Sequence, residues 1–229
     1  TSTPLQLEMS QTLVNEHPDC YLQTHLSENK DELALVKKLY PDYKDYTEIY
    51  EHYNLLGSRS LFGHCIHLSN REVAIMSETK SVAVFCPTSN LFLGSGLFDL
   101  QHLSKQKHPV RVATATDIGG GTSCSMLKTM DEAYKVLQLQ GQRLSPIESF
   151  YQITLGNACA LSLENKIGTL AIESDADITI LNSRATPLMK IRMQTVKSLA
   201  EELFVLQTMG DDRSVAQVYI KGKPSKKLH

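Results

Sequence analysis

Imidazole and carboxylate side chains stand at the ends of segments that the sequence predicts to be β-strands. His25 ends one strand-like run, and Glu28 follows three residues later. His64 lies in a second run, and Asp117 follows a fourth, just before three consecutive glycines. Imidazole nitrogens and carboxylate oxygens are suitable donors for zinc or iron, and a carboxylate beside the metal can pass protons to a substrate. These residue types favour metal-assisted hydrolysis.

Each of these four residues also has an ordinary structural interpretation. His25 could be a hydrogen-bonded histidine at a strand end, and His64 could be a satisfied histidine of the core. Glu28 precedes a predicted helix, whose dipole stabilises a carboxylate there. Asp117 could form an Asx turn. Residue type and spacing alone therefore leave a metal site and a purely structural role both open.

The elements that must position these residues alternate along the chain. Strands are predicted at 20–25, 60–66, 82–86 and 110–116, and helices at 4–17, 29–39, 47–53, 70–79, 98–107, 123–140 and 145–155. This alternation is typical of right-handed βαβ units in a parallel sheet, where the carboxyl ends of the strands line the site. In the first helix, Leu5, Met9 and Leu13 share one face, which we expect to be covered.

The pattern changes near residue 168, after which strands are predicted at 177–181 and 215–221 with a helix at 195–206 between them. We therefore divide the chain into an α/β part, residues 1–167, and a mixed segment, residues 168–229.

Other chemistries have less support in the sequence. The glycines at 119–121 follow a strand, but the pattern G-x-x-x-x-G-K is absent, so a tight turn near a ligand is favoured over a phosphate loop. No G-x-S-x-G motif suggests a serine nucleophile. Cys65 and His67 flank His64, and strand alternation predicts that they pack against helices on the opposite face.

Composition excludes several classes of partner. The 229 residues carry 23 Lys and Arg against 25 Asp and Glu, a net charge of −2, which gives no electrostatic basis for binding nucleic acid or an acidic membrane surface. Apolar runs are far shorter than the roughly 20 residues of a membrane span. The five cysteines are scattered without a C-x-x-C pair, which favours a reducing, cytoplasmic setting. The start lacks a methionine, which suggests a processed chain or a fragment.

Four stretches together resemble the amidohydrolase superfamily, in the order of its barrel strands five to eight. They are Gln23-Thr24-His25-Leu26-Ser27-Glu28-Asn29, Phe62-Gly63-His64-Cys65, Cys86-Pro87-Thr88-Ser89-Asn90 and Ala115-Thr116-Asp117-Ile118-Gly119-Gly120-Gly121. Within the superfamily the sequence is most similar to the guanine-deaminating members. The resemblance implies an α/β fold: half of a (β/α)8 TIM-type metallo-dependent hydrolase barrel, with a C-terminal mixed β segment that contributes to a small composite β domain.

The resemblance also implies roles for the four residues. His25 and Asp117 would bind the metal, and Asp117 would take a proton from the attacking water. Glu28 would carry protons to the purine ring and to the departing ammonia, and His64 would orient the nucleophile. All four, His25, Glu28, His64 and Asp117, would contact the substrate. One zinc ion per site, with iron as an alternative, guanine as substrate and a homodimer are the cofactor and partners implied.

Two departures from the family pattern matter. Family members carry an H-x-H metal-binding pair on strand one and a glutamine after it that contacts the base, and this chain contains neither. The family's arginine and phenylalanine contacts to guanine would fall just before Thr1. We therefore expect the C-terminal half of a deaminase, without a complete metal site. The alternatives are a related deaminase of another purine or an aminotriazine, and a noncatalytic half-barrel that associates through its sheet edges.

Overall fold

A parallel sheet forms the centre of the computed structural model, which describes residues 2–225. Its strands are β1 Leu22–Leu26, β2 Ser60–His64, β3 Val82–Phe85 and β4 Arg111–Thr114. They pair in chain order, each parallel to the next. Neighbours in sequence are thus neighbours in the sheet, and all four carboxyl ends lie at one edge. The four predicted strands are confirmed, with ends displaced by at most two residues.

Helices connect and flank these strands. They are α1 Pro4–Glu16, α2 Lys30–Leu39, α3 Tyr46–His52, α4 Asn70–Thr79, α5 Pro87–Phe92, α6 Leu100–Ser104, α7 Met126–Leu139, α8 Pro146–Tyr151, α9 Asn157–Ala160, α10 Pro187–Met193 and α11 Leu199–Met209. A π-helical turn, Gln152–Gly156, joins α8 to α9. Among residues 2–225, none of these helices combines the length and the apolar character that crossing a membrane requires.

Several helices begin where the sequence predicts them because side chains cap their first turns. Thr3 accepts a hydrogen bond from the main chain of α1, and Ser69 does the same for α4, each within a complete capping box. Ser145 and Glu148 form a capping box at the start of α8. Each box satisfies main-chain N–H groups that a helix start otherwise leaves unpaired.

The main core lies between the sheet and the helices that cover it. Leu26, Phe62 and Phe85 point from the strands into this layer, where they are almost fully buried. Phe85 stacks on Phe98 with ring centroids 4.4 Å apart. This packed layer gives the sheet and its carboxyl-end loops a rigid support.

The apolar face predicted for α1 is wrong. Leu5, Met9 and Leu13 are more than half exposed, whereas Leu7 is buried in the main core and Val14 packs against it. The helix is therefore rotated relative to the prediction, because its buried contacts come from residues outside the i, i+4 stripe.

The C-terminal segment has a separate antiparallel sheet. Its strands are β5 Ile178–Leu181, β6 Val215–Ile220 and β7 Lys223–Pro224, paired in chain order. α10 and α11 pack beside it around Met189, Met193, Val205 and Leu206. The helix predicted at 195–206 is α11, which begins at Leu199 because Ser198 caps it. α10, which Thr186 caps and Pro187 begins, was not predicted.

Two differences occur beside the strand ends. No helix is predicted between residues 86 and 98, yet α5 directly follows β3, and Pro87 occupies its first turn, a position that suits proline. The helix predicted at 98–107 is shorter, because Asp99 accepts from the main chain of His102 and begins it late. The missed helix α5 contacts the candidate site.

Candidate functional site

The four side chains singled out from the sequence meet at the carboxyl edge of the parallel sheet. His64 Nε2 lies 3.5 Å from Glu28 Oε2 and 3.9 Å from Asp117 Oδ2. His25 Nδ1 lies 3.7 Å from the same Glu28 oxygen. The two imidazole rings meet edge to face, with centroids 4.7 Å apart. Residues up to 92 positions apart in sequence thus share one cluster.

Three of the four residues could bind one metal ion. One potential ligand atom each from His25, His64 and Asp117 can be chosen so that all lie within 4.8 Å of one another. Imidazole nitrogen and carboxylate oxygen are the donors expected around zinc. The cluster therefore fits a divalent cation, with Glu28 beside it.

Burial changes steeply across the cluster. The side chain of His64 is 1% exposed and that of Glu28 is 12% exposed, whereas that of His25 is 57% exposed. His64 and Glu28 thus form the floor and His25 the rim. Because a buried carboxylate is costly unless it is paired, a cation or a donated proton between these groups would be strongly favoured.

Strand register accounts for the position of His25. It pairs with Gly63 on β2, and a Cβ atom at Gly63 would lie 3.4 Å from the His25 ring. The missing side chain leaves room for the imidazole beside the neighbouring strand.

His64 reaches the site through an unusual backbone conformation. It pairs with Leu26, whose side chain is buried in the main core, so continued strand alternation would direct the imidazole there. The φ angle of His64 is instead +70°, and that of Cys65 is +50°. These left-handed residues end the strand and place the ring beside His25. Such backbone strain is concentrated at functional sites.

The turns after β1 and β2 are bonded to each other. Cys65 N donates to Leu26 O at 2.9 Å, and the main-chain N–H groups of Ile66 and His67 both donate to Ser27 O at 3.1 Å. These bonds fix the backbone on both sides of the cluster. Glu28, the next residue after Ser27, is held in place by this connection.

Two polar residues that the sequence reasoning did not assign also contact the cluster. Asn90 Oδ1, on α5, lies 2.8 Å from His64 Nδ1. Because an amide oxygen only accepts, this contact requires a proton on Nδ1 and leaves Nε2 facing the carboxylates. The Ser95 hydroxyl donates to Glu28 Oε1 at 3.0 Å. The sequence signal for α5 was Pro87 directly after a strand. The signal for the turn that carries Ser95 was a serine between two glycines.

The glycine run packs around Asp117 as a tight turn. Gly121 N donates to Asp117 O at 2.5 Å, and Asp117 itself has a φ of +49°. A Cβ atom at Gly120 would lie 2.5 Å from Ser89 Oγ and 3.2 Å from Asp117 Oδ2. Glycine is required there because the backbone passes so close to the carboxylate.

Neither Cys65 nor His67 joins the candidate ligand group. Cys65 packs in the main core, and His67 Nε2 donates to Ser95 O at 3.0 Å. They lie outside the ligand group as expected, but the predicted reason is wrong, because strand alternation ends at His64 and both residues belong to the turn that follows β2.

The thiols near the site are poor nucleophiles. Burial raises the pKa of Cys65, and burial, with the nearby Asp117 charge, raises the pKa of Cys86 to about 12. Both therefore remain protonated near neutral pH, which removes the thiolate that nucleophilic catalysis needs.

Comparison with known proteins agrees with this architecture. A family model described as the amidohydrolase family matches residues 1–224. The chain belongs to the amidohydrolase family. This confirms the family predicted from the four sequence stretches.

Particular relatives share a narrower likeness. Guanine deaminase of Escherichia coli (strain K12) is 50% identical over 223 residues, which is 97% of this chain and 50% of that protein. A solved structure of E. coli guanine deaminase superimposes with a TM-score of 0.96 at 48% identity, covering 100% of this chain and 53% of the other. Guanine deaminase from C. acetobutylicum with bound guanine superimposes with a TM-score of 0.86 at 27% identity, covering 98% and 52%. The chain thus spans about half the length of the relatives it matches.

Proposed function

We propose that the complete protein containing this chain hydrolyses guanine to xanthine and ammonia. The observation that carries the proposal is the convergence of His25, Glu28, His64 and Asp117 at one sheet edge. The similarity to guanine deaminases supports the choice of substrate. In the reaction a C–O bond forms at the purine carbon and the C–N bond to the exocyclic amine breaks, so that one water molecule is consumed for each ammonia released.

We assign His25 and Asp117 as metal ligands, with zinc as the ion and iron as the alternative. The support is the donor set, since the His25 imidazole and the Asp117 carboxylate fit a borderline divalent cation and lie with His64 in one cluster. When bound, such an ion supplies Lewis-acid activation that lowers the pKa of water to about 7. The remaining ligands would come from the H-x-H pair of the family, which lies outside this chain.

The chain's own residues would move the protons. Asp117 accepts a proton from the attacking water, and protonated Glu28 delivers a proton to the ring nitrogen next to the attacked carbon. The hydroxyl of the addition product then returns a proton to Glu28, which passes it to the leaving amine, and the proton held by Asp117 restores Glu28, so that both protons of the water are accounted for. His64 Nε2 faces both carboxylates and orients the nucleophile between them. General acid and base groups at such fixed separations contribute about 10²- to 10⁴-fold to rate. The exposed His25 stands at the rim, where the purine would enter.

The larger architecture is part of the same proposal. β1 to β4 would be strands five to eight of a (β/α)8 barrel, because β1 and β4 each have one sheet neighbour among residues 2–225 and closure requires more strands. Residues 168–229 would contribute β5 to β7 to a small composite β domain. A homodimer and a cytoplasmic location, predicted from the family and from the cysteines, complete the proposal.

The direct test is an assay on the complete protein with guanine, measuring xanthine, ammonia and bound metal together. We expect stoichiometric xanthine and ammonia and about one zinc or iron per site. Turnover of another aminopurine or an aminotriazine in place of guanine would favour the related-deaminase alternative. A folded protein that turns over none of these substrates would favour the remaining alternative, a noncatalytic half-barrel.

Glu28→Gln tests the assigned chemistry, because the amide keeps the shape but cannot carry the proton. We expect kcat to fall at least about 100-fold. Glu48→Gln is the matched control, since Glu48 pairs with Lys44 and Arg71 on the surface. Equal activity of Glu28→Gln and wild type would exclude Glu28 as the proton carrier.

A further inference from the structure

The hydroxyl of Ser95 contacts the candidate site from the turn after α5. It donates to Glu28 Oε1 at 3.0 Å, across 67 positions of sequence. Ser95 is buried, with 7% of its surface exposed. A hydrogen bond to a charged acceptor, shielded from water, is stronger than a neutral one.

This contact makes the two oxygens of Glu28 different. Oε1 accepts the Ser95 hydrogen bond, whereas Oε2 faces His64 Nε2 at 3.5 Å and His25 Nδ1 at 3.7 Å. The main chain at Glu28 is already fixed, because its N–H donates to Glu32 Oε2 at 2.7 Å. The side-chain torsions are the remaining freedom, and the Ser95 bond restricts them.

Ser95 is itself held from two sides. Its N–H donates to Asn90 O at 2.9 Å, and its carbonyl accepts from His67 Nε2 at 3.0 Å. The flanking Gly94 and Gly96 have φ angles of +68° and +136°, which permit the sharp turn. A hydroxyl with this support has a fixed place from which to orient a carboxylate.

We propose that Ser95 is a positioning residue that binds one oxygen of Glu28 and so reserves Oε2 for proton transfer. The inference rests on the proposed role of Glu28 as the proton carrier. Ser95 acts through Glu28 and not through the substrate, so its loss should lower kcat and leave KM nearly unchanged. Misplacing a reacting group by about 1 Å can cost on the order of 100-fold in rate.

The experiment compares Ser95→Ala, Ser95→Thr and the control Ser60→Ala in the complete enzyme. Ser60 lies on β2, where its buried hydroxyl donates to Leu55 O at 2.7 Å, away from Glu28. We expect Ser95→Ala to lower kcat about 10- to 100-fold with KM changed less than about 2-fold. Ser95→Thr keeps the hydroxyl and should recover most of this loss. Ser60→Ala should lower the melting temperature and leave kcat unchanged.

Coupling to Glu28 separates positioning from a general structural effect. If Ser95 acts through Glu28, adding Ser95→Ala to Glu28→Gln should cost little beyond Glu28→Gln alone, because residues of one network are not additive. Three results would each overturn the proposal. The kcat losses of Ser95→Ala and Glu28→Gln could multiply in the double variant, or kcat could be unchanged in Ser95→Ala. The third is a kcat loss in Ser60→Ala equal to that in Ser95→Ala.

A structural readout keeps this result independent of the substrate. Crystal structures of wild type and Ser95→Ala should show one Glu28 carboxylate conformer in the first and a displaced or divided one in the second. If the complete wild-type protein does not deaminate guanine, the proposed function fails, and an unmoved Glu28 carboxylate in Ser95→Ala would refute the positioning role as well. If the wild-type protein deaminates guanine and Ser95→Ala has the same kcat as wild type, only the positioning role is refuted and the proposed function stands.

Discussion

The parallel sheet and the C-terminal segment use their side chains in different ways. At the carboxyl edge of the parallel sheet, groups from three strand ends meet within hydrogen-bond or near hydrogen-bond distance, and several carry left-handed backbone. Around β5 to β7, the two buried methionines and two aliphatic residues make a small apolar cluster. The sheet edge thus combines buried charge with left-handed backbone, while the cluster in the C-terminal segment is held by apolar packing. This contrast predicts that substitutions at the sheet edge lower kcat, whereas substitutions in the C-terminal segment lower the free energy of unfolding with little effect on kcat.

Within this comparison, the largest effect on kcat is expected from Asn90→Leu, together with a loss of stability. Leucine has a similar size but cannot accept from His64 Nδ1, so a buried N–H loses its partner. The free energy of unfolding should fall by about 1–3 kcal/mol, and kcat should fall at least about 10-fold because the ring is no longer held. Denaturant unfolding and steady-state kinetics on the complete enzyme measure both changes.

Thr88→Val is the matched control for Asn90→Leu. Thr88 lies on the same helix and donates to Thr116 O at 3.1 Å, so valine removes a hydrogen bond without touching His64. We expect a loss of stability with a much smaller effect on kcat. Similar kcat losses in the two variants would mean that α5 matters as a whole and that the His64 contact has no special role.

Gly120→Ala should impair activity with a modest effect on folding. The new methyl group would lie 2.5 Å from Ser89 Oγ and 3.2 Å from Asp117 Oδ2, so one of these groups must move. We expect kcat to fall about 10-fold, since small displacements of reacting groups are costly. Gly57→Ala is the control, because its methyl group would find its nearest neighbour, Ser60 Oγ, 4.0 Å away. A fully active Gly120→Ala enzyme would show that the Asp117 turn tolerates displacement.

The smallest effect on catalysis is expected from Met189→Ala in the C-terminal segment. Met189 is 1% exposed at the centre of the small cluster, so the cavity should lower the free energy of unfolding by about 2–5 kcal/mol. The kcat per folded molecule should stay within about 2-fold of wild type if the two regions are energetically separate. A loss of kcat in folded, metal-loaded enzyme would show that the segment supports the site directly.

The sequence interpretation was accurate for features that depend on residues close together in the chain, and less accurate for features that depend on distant residues. Capping boxes and strand patterns depend on residues a few positions apart, so the starts of α1 and α4 and the four parallel strands were predictable. α5 was missed because its first turn reads as a loop after Cys86. The burial of α1 was predicted on the wrong face, since Leu7 and Val14 join the main core and the predicted i, i+4 stripe does not.

The amino-acid sequence by itself determined which chemical groups stand at the strand ends and the parallel order that brings those ends to one edge. Only the tertiary structure decided how the groups face one another. His64 would follow Leu26 into the core if strand alternation continued, and a positive φ turns its ring toward His25 instead. Asn90 and Ser95 join the site through contacts across 26 and 67 residues. Local patterns cannot encode such contacts, because they depend on where the whole sheet and its loops place two distant parts of the chain.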